Sequence, residues 1–188
     1  MQSCLKLITA VALAVSNAVA LKDGLSMGIL VGGPHGDFKT NLPHMQPAQT
    51  MKCIKIRTGD RLDAISLDVV LPNGQPTTFY HGGDGGKEHT LTLADGEYVE
   101  TIEYHTGKKN GHTRIFYIKL STNKGKFLEG GTQTRDVFVD QAPLYYQLGG
   151  FQGFSKDEVD MLSAIWSSTR PIPPLPVPSG DASQKEPC

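Results

Sequence analysis

Cysteine, long apolar runs and clustered basic residues are all scarce in this chain, and each scarcity removes a class of protein. Only Cys4, Cys53 and Cys188 are present, with no CxxC pair and no Cys/His cluster, so neither a zinc site nor any other cofactor is expected. The one continuous apolar run, Leu7 to Val15, falls short of the ~20 apolar residues that cross a bilayer. No basic block is long enough to hold a phosphate backbone, so nucleic acid is not an expected partner. Neither GxGxxG nor GxxxxGK[ST] occurs, so nucleotide binding is not indicated. GxSxG and HExxH are missing as well, and no helix of ordinary length with caps can be read.

What is there divides into three segments. Residues 1–20 read as a secretory signal peptide. Lys6 supplies the positive start, Leu7 to Val15 the apolar run, and Ala18-Val19-Ala20 the small residues before cleavage. Its removal leaves 17 basic against 19 acidic residues, a net charge of −2. The expected location is therefore extracellular, with no membrane insertion. Residues 171–188 carry six of the twelve prolines. Proline fixes φ and removes amide donors, so this tail suits polyproline II, either as a disordered tail or as a spacer or PxxP ligand. Residues 21–170 remain as a single domain. At 38% hydrophobic the chain has apolar material for one core. In an oxidising compartment Cys53 and Cys188 either pair and tie the tail back, or stay as two thiols.

The domain reads as all-β. Apolar and polar residues alternate over Ile54 to Arg57, Leu62 to Val70, Thr90 to Leu93, Tyr98 to Glu103, Ile115 to Leu120, Asp136 to Val139 and Val159 to Trp166. Turn residues recur between them at Thr58-Gly59-Asp60, Pro72-Asn73-Gly74, Asp95-Gly96, Lys108 to Gly111 and Asn123 to Gly125. Residues 155–165 are ambiguous. Ser155 could cap a helix with Asp157 and Glu158 in its first turn.

Two glycine-rich loops, Val31 to Phe38 and His81 to Gly86, stand out. Glycine reaches positive φ and lets backbone approach a ligand, so each is either a plain β-turn or a ligand loop. A third stretch, Gly149 to Asp160, completes a series that resembles the jacalin-related lectin family. Arg57 to Ile65 resembles the family's G-x-x-I-D-A-I segment, and Leu91 to Val99 its I-x-L-x-x-G-E-Y-I segment. Leu120 to Gly125 resembles L-x-F-x-T-N. Gly150-Phe151-Gln152-Gly153 with Asp157-Glu158-Val159-Asp160 resembles the closing G-F-x-G…D-x-x-D. The likeness spans residues 28–166.

The resemblance implies a β-prism I of three antiparallel Greek-key sheets with pseudo-threefold symmetry, holding a sugar at one end. Carried over, Gly36 would offer its amide, Asp157 and Glu158 theirs, and Asp160 would accept two hydroxyls on its two carboxylate oxygens. The loop with Lys109, Asn110 and His112 would flank the site. D-x-V-D without a neighbouring aromatic resembles the mannose-binding branch, so mannose- or glucose-type glycans or glycoproteins are the expected partners, and oligomerisation stays open. The second reading is a secreted, non-catalytic protein-interaction module on a scaffold that has lost its sugar. Catalysis is not expected, because glycosidases need carboxylates on both sides of a bond and Asp157 and Asp160 share one short loop. Three departures bear on the site. Lys156 stands where the family has Gly, GGPHG replaces GGNGG, and Met161-Leu162-Ser163 replaces A-I-G. If the family's Gly needs positive φ, Lys156 is strained.

Overall fold

The computed structural model describes residues 21–172. They form twelve strands: β1 (Leu25–Gly32), β2 (Asp37–Thr40), β3 (Thr50–Thr58), β4 (Leu62–Val70), β5 (Pro76–Gly82), β6 (Lys87–Thr92), β7 (Val99–Lys109), β8 (His112–Thr122), β9 (Phe127–Gly131), β10 (Asp136–Gln141), β11 (Tyr146–Ser155) and β12 (Val159–Ser168). A single 3-10 turn, Leu42–His44, carries Pro43 in its first turn. The signal-peptide reading (1–20), most of the proline-rich tail and Cys188 lie outside the described residues. Cys53 sits half-buried on β3.

The strands make three antiparallel four-stranded sheets, ordered β1-β12-β11-β2, β10-β7-β8-β9 and β5-β4-β3-β6. Each is a central hairpin (β11–β12, β7–β8 or β3–β4) flanked by two shorter strands. In two sheets those flanking strands follow their hairpin directly in the chain. In the third they are β1 and β2, so this sheet joins the beginning of the domain to its end.

The repetition extends to single atoms. Gly32, Gly82 and Gly131 end the flanking strands β1, β5 and β9 with φ of +110°, +112° and +94°. A Cβ on them would stand 2.1, 2.1 and 2.0 Å from the carbonyl oxygens of Asp160, Asp63 and Phe116. The next amide in each case donates to that same carbonyl, from Gly33 (2.9 Å), Gly83 (3.0 Å) and Thr132 (2.8 Å). Positive φ and the missing Cβ make glycine the fitting residue there. This is the pseudo-threefold β-prism that the resemblance implied.

One apolar core fills the prism. Ile54, Ile56, Ile65 and Leu67 meet Ile102, Tyr104, Ile115 and Ile118 from the second sheet and Phe151, Leu162 and Trp166 from the first. The helical alternative for residues 155–165 does not form. Ser155 ends β11, residues 156–158 turn, and Val159 opens β12 with Ser155 and Val159 paired across the turn. All ten residues of β12 are buried, because β12 lies inside its sheet with both faces covered. The alternation read over Val159 to Trp166 is therefore broken, with apolar residues side by side at Met161-Leu162 and Ala164-Ile165-Trp166. The glycines of β11 have a packing reason as well. A Cβ on Gly149 or Gly150 would sit 2.7 or 2.6 Å from the Met45 side chain, and one on Gly153 would sit 1.9 Å from the Met161 carbonyl oxygen.

Candidate functional site

Gly36 follows β1 and Asp160 lies on β12, and the sheet that joins the chain's two ends brings them together. Gly36 has φ +81°, and a Cβ there would meet the Ser155 backbone at 2.9 Å and Asp160 Oδ2 at 3.0 Å. A shallow pocket of about 130 Å³ opens at this point, lined by Gly36, Arg114, Lys156, Asp157, Glu158 and Asp160. The four predicted residues Gly36, Asp157, Glu158 and Asp160 thus share one pocket. The amides of Gly36, Asp157 and Glu158 find no acceptor among the described residues.

Asp160 is 3% exposed. Arg114 Nε lies 2.7 Å from its Oδ1, yet that N–H is directed at Glu158 Oε1, 3.2 Å away, and Oδ1 accepts no hydrogen bond among the described residues. Burial, reinforced by the nearby Glu158 and Asp157 charges and opposed by Arg114 and Lys109, pushes the Asp160 carboxyl up to about 6. An acceptor short of donors beside free amides is a chemistry that hydroxyl-rich ligands satisfy.

Glu158 departs from its expected role as an amide donor alone. Its carboxylate is 14% exposed and sits among three cations: Arg61 Nε and Arg114 Nε donate to it, and Lys109 Nζ stands 3.6 Å away. Burial raises its pKa, but those cations outweigh burial and hold it below the usual range. Arg61, Arg114 and Glu158 occupy the same place in the three sheets, each two residues before the carbonyl that receives the glycine-loop amide. The three repeats are thus tied to one another at this end by an Arg–Glu–Arg triad. Sequence reading missed Arg61 and Arg114. The signal was available in the recurring triplets Arg61-Leu62-Asp63, Arg114-Ile115-Phe116 and Glu158-Val159-Asp160.

Lys156 is not strained. It keeps a negative φ, and its amide donates to the Glu158 carbonyl at 3.1 Å, closing the turn without a glycine. Asp157 is held by the second glycine-rich loop, since a Cβ on Gly83 would stand 2.5 Å from the Asp157 carbonyl oxygen. That loop is tied down by the neighbouring strand β3, since Arg57 donates to the carbonyls of Asp84, Gly85 and Gly86.

The flanking loop divides. Lys109 reaches Glu158, while Asn110 sits exposed at the hairpin tip with φ +52°, outside the pocket lining. His112 Nδ1 lies 3.1 Å from Nε2 of His35, which is next to Gly36, so it borders the site through a neighbour that sequence reading had not singled out.

Comparison with known proteins agrees with the fold. The model of the family described as Jacalin-like lectin domain matches residues 29–165. Secreted RxLR effector protein 19 from Plasmopara viticola is 26% identical over 148 residues, covering 77% of this chain and 80% of that protein. Jacalin-related lectin 36 from Arabidopsis thaliana is 29% identical over 133 residues, covering 71% of this chain and 27% of that longer protein. Among solved structures, wild-type Malaysian banana lectin superposes with a TM-score of 0.68 at 28% identity, covering 77% of this chain and 99% of that one. A mannose binding jacalin related lectin from Ananas comosus superposes at 0.67 with 24% identity, over 78% and 99%.

Proposed function

The chain belongs to the jacalin-like lectin family, and from that premise we propose that it binds glycans, with mannose- or glucose-type saccharides as its ligands, and that it does so without turning them over. One observation carries the reading: the buried Asp160 carboxylate faces Gly36 across a pocket where three amides are unpaired. Neighbouring hydroxyls of one pyranose can donate to Asp160 while its oxygens accept from Gly36, Asp157 and Glu158. Each hydrogen bond to the charged group contributes ~1.5–3 kcal/mol, and a small open pocket keeps a single sugar near millimolar affinity, about −4 kcal/mol. Useful avidity then comes from longer glycans or multivalent display. The mannose-binding protein from Ananas comosus among the structural neighbours supports the saccharide class. The signal-like start and the relative named as a secreted effector support an extracellular location.

A glycan array probed with residues 21–188 tests the reading. Binding to mannose- or glucose-terminated glycans is expected, and Asp160→Ala is expected to weaken it more than about tenfold with the circular dichroism spectrum unchanged. An array with no signal, or full affinity in Asp160→Ala, would remove the site.

A further inference from the structure

We propose that Phe38 and Phe154 form a second, stacking subsite beside the pocket, which takes the next pyranose of an oligosaccharide. The proposal rests on the lectin reading of the Asp160 pocket and extends it.

Phe38 is on β2, two residues after Gly36, and Phe154 is on β11, just before the Ser155–Lys156 entry into the turn. They are directly paired across the two strands, with ring centroids 5.4 Å apart and ring planes at 60°. Strand geometry places Phe38 about 7 Å from Gly36 along the chain. The Phe38 ring is 56% exposed although β2 is hydrogen-bonded into its sheet, and Phe154 is half-buried beneath it. The core makes no use of the Phe38 ring, so packing does not account for it. A pocket of about 130 Å³ has room for one sugar ring at most, and whatever follows that ring must lie on its rim. Neither ring lines the pocket itself, but Phe38 and Phe154 are each two residues along the chain from a residue that does, Gly36 and Lys156. A pyranose presents C–H groups on one face, and the electron-rich face of a phenyl ring attracts them as it attracts other partially positive edges. The polar pocket would set which sugar is read, and the pair would set preference for length.

Isothermal titration calorimetry on residues 21–188 tests this with methyl α-mannoside, a mannose disaccharide and a mannose trisaccharide. The wild type is expected to bind the longer ligands more tightly than the monosaccharide. Phe38→Ala and Phe154→Ala are each expected to reduce that gain by roughly fivefold, with methyl α-mannoside affinity unchanged. Phe38→Tyr, which keeps the ring, is expected to retain the gain, and Phe38→Leu, which keeps only apolar bulk, is expected to lose it. Thermal melts establish that each variant is folded, and Phe154→Ala stands in should Phe38→Ala misfold. An unchanged ratio between long and short ligands in both alanine variants overturns the subsite while leaving the lectin reading intact. A wild type that binds the monosaccharide with no gain from length does the same. A wild type that binds none of the three overturns both. A dimer on size exclusion that Phe38→Ala dissolves assigns the pair to self-association and overturns the subsite.

Discussion

Asp160 combines two properties that pull in opposite directions. Its burial makes it a strong acceptor for a hydroxyl ligand and also raises its pKa to about 6, so it is only just ionised near neutrality. The sign of the consequence follows. Above that value the carboxylate accepts from two donors. Below it one oxygen carries a proton and acceptor capacity drops. Glycan affinity should therefore be flat at mildly alkaline pH and fall as pH drops through about 6. Affinities measured across that range should follow one titration, and in Asp160→Asn the residual binding should not depend on pH in this window. A wild-type affinity that stays constant down to pH 4.5 would contradict the assignment. Asp160 and Gly36 could be named from residue chemistry and resemblance. The Glu158 carboxylate could not, because its role depends on Arg61 and Arg114, which are 97 and 44 residues away.

The turn between β11 and β12 needs the triad more than it needs glycine. Glu158 holds Arg61 from the β3–β4 turn and Arg114 from β8, so removing its charge leaves two half-buried guanidinium groups sharing one neutral acceptor. Glu158→Gln should destabilise the domain by about 1–3 kcal/mol in urea titration, below the figure for fully buried pairs because the turn is part-solvated. It should also weaken glycan binding, although the Glu158 amide remains. Full stability in Glu158→Gln would make the triad a surface contact of no weight. The strands themselves were unevenly legible. β3, β4, β7 and β8 alternate in sequence because one face of each meets the core, whereas β10, also read as alternating, keeps Val137, Phe138 and Val139 exposed. β11 is disguised by glycines that Met45 and Met161 require, and the alternation read over β12 is blurred by burial on both faces. β5 begins at Pro76, which an edge strand tolerates since a lost amide donor there has no partner strand to miss. Glu97, part of the G-E-Y motif, has a structural role. It accepts from Lys126, the Ala94 amide and Thr122, and the Lys126 contact first among these holds its pKa down to about 2.

For the molecule as a whole, two buried titratable groups set opposing pH trends. His81 is 2% exposed, with Nε2 bonded to Asn41, and burial lowers its pKa to about 4. A folded pKa below the unfolded value means that stability is full above about pH 6.5 and declines as pH falls toward 4, by about 3 kcal/mol at most. Asp160 runs the other way. Its folded pKa lies above the unfolded one, so the penalty of ionising it is present above about pH 6 and is relieved as pH falls toward 4. Between pH 6.5 and 4 the two should partly cancel in the wild type. His81→Gln should then gain stability on acidification relative to wild type, and Asp160→Asn should lose it. Melting temperatures of the three proteins across that window check both signs, and parallel curves would contradict them. The acidic groups held below their usual range, Glu97 and Asp68 among them, act at lower pH and are common to all three proteins.

Period-two alternation and turn chemistry were enough to establish an all-β domain, because a strand's two faces meet different surroundings and leave that record in adjacent residues. Motif order was enough to name the family and four residues of the pocket. Folding alone revealed which sheet joins the chain's ends, why Lys156 fits where glycine was expected, and that charged residues from three repeats meet at one point. Those facts rest on contacts between residues tens of positions apart. Burial and the distance between charges, which set the Asp160 and His81 titrations, come into being only when those segments pack.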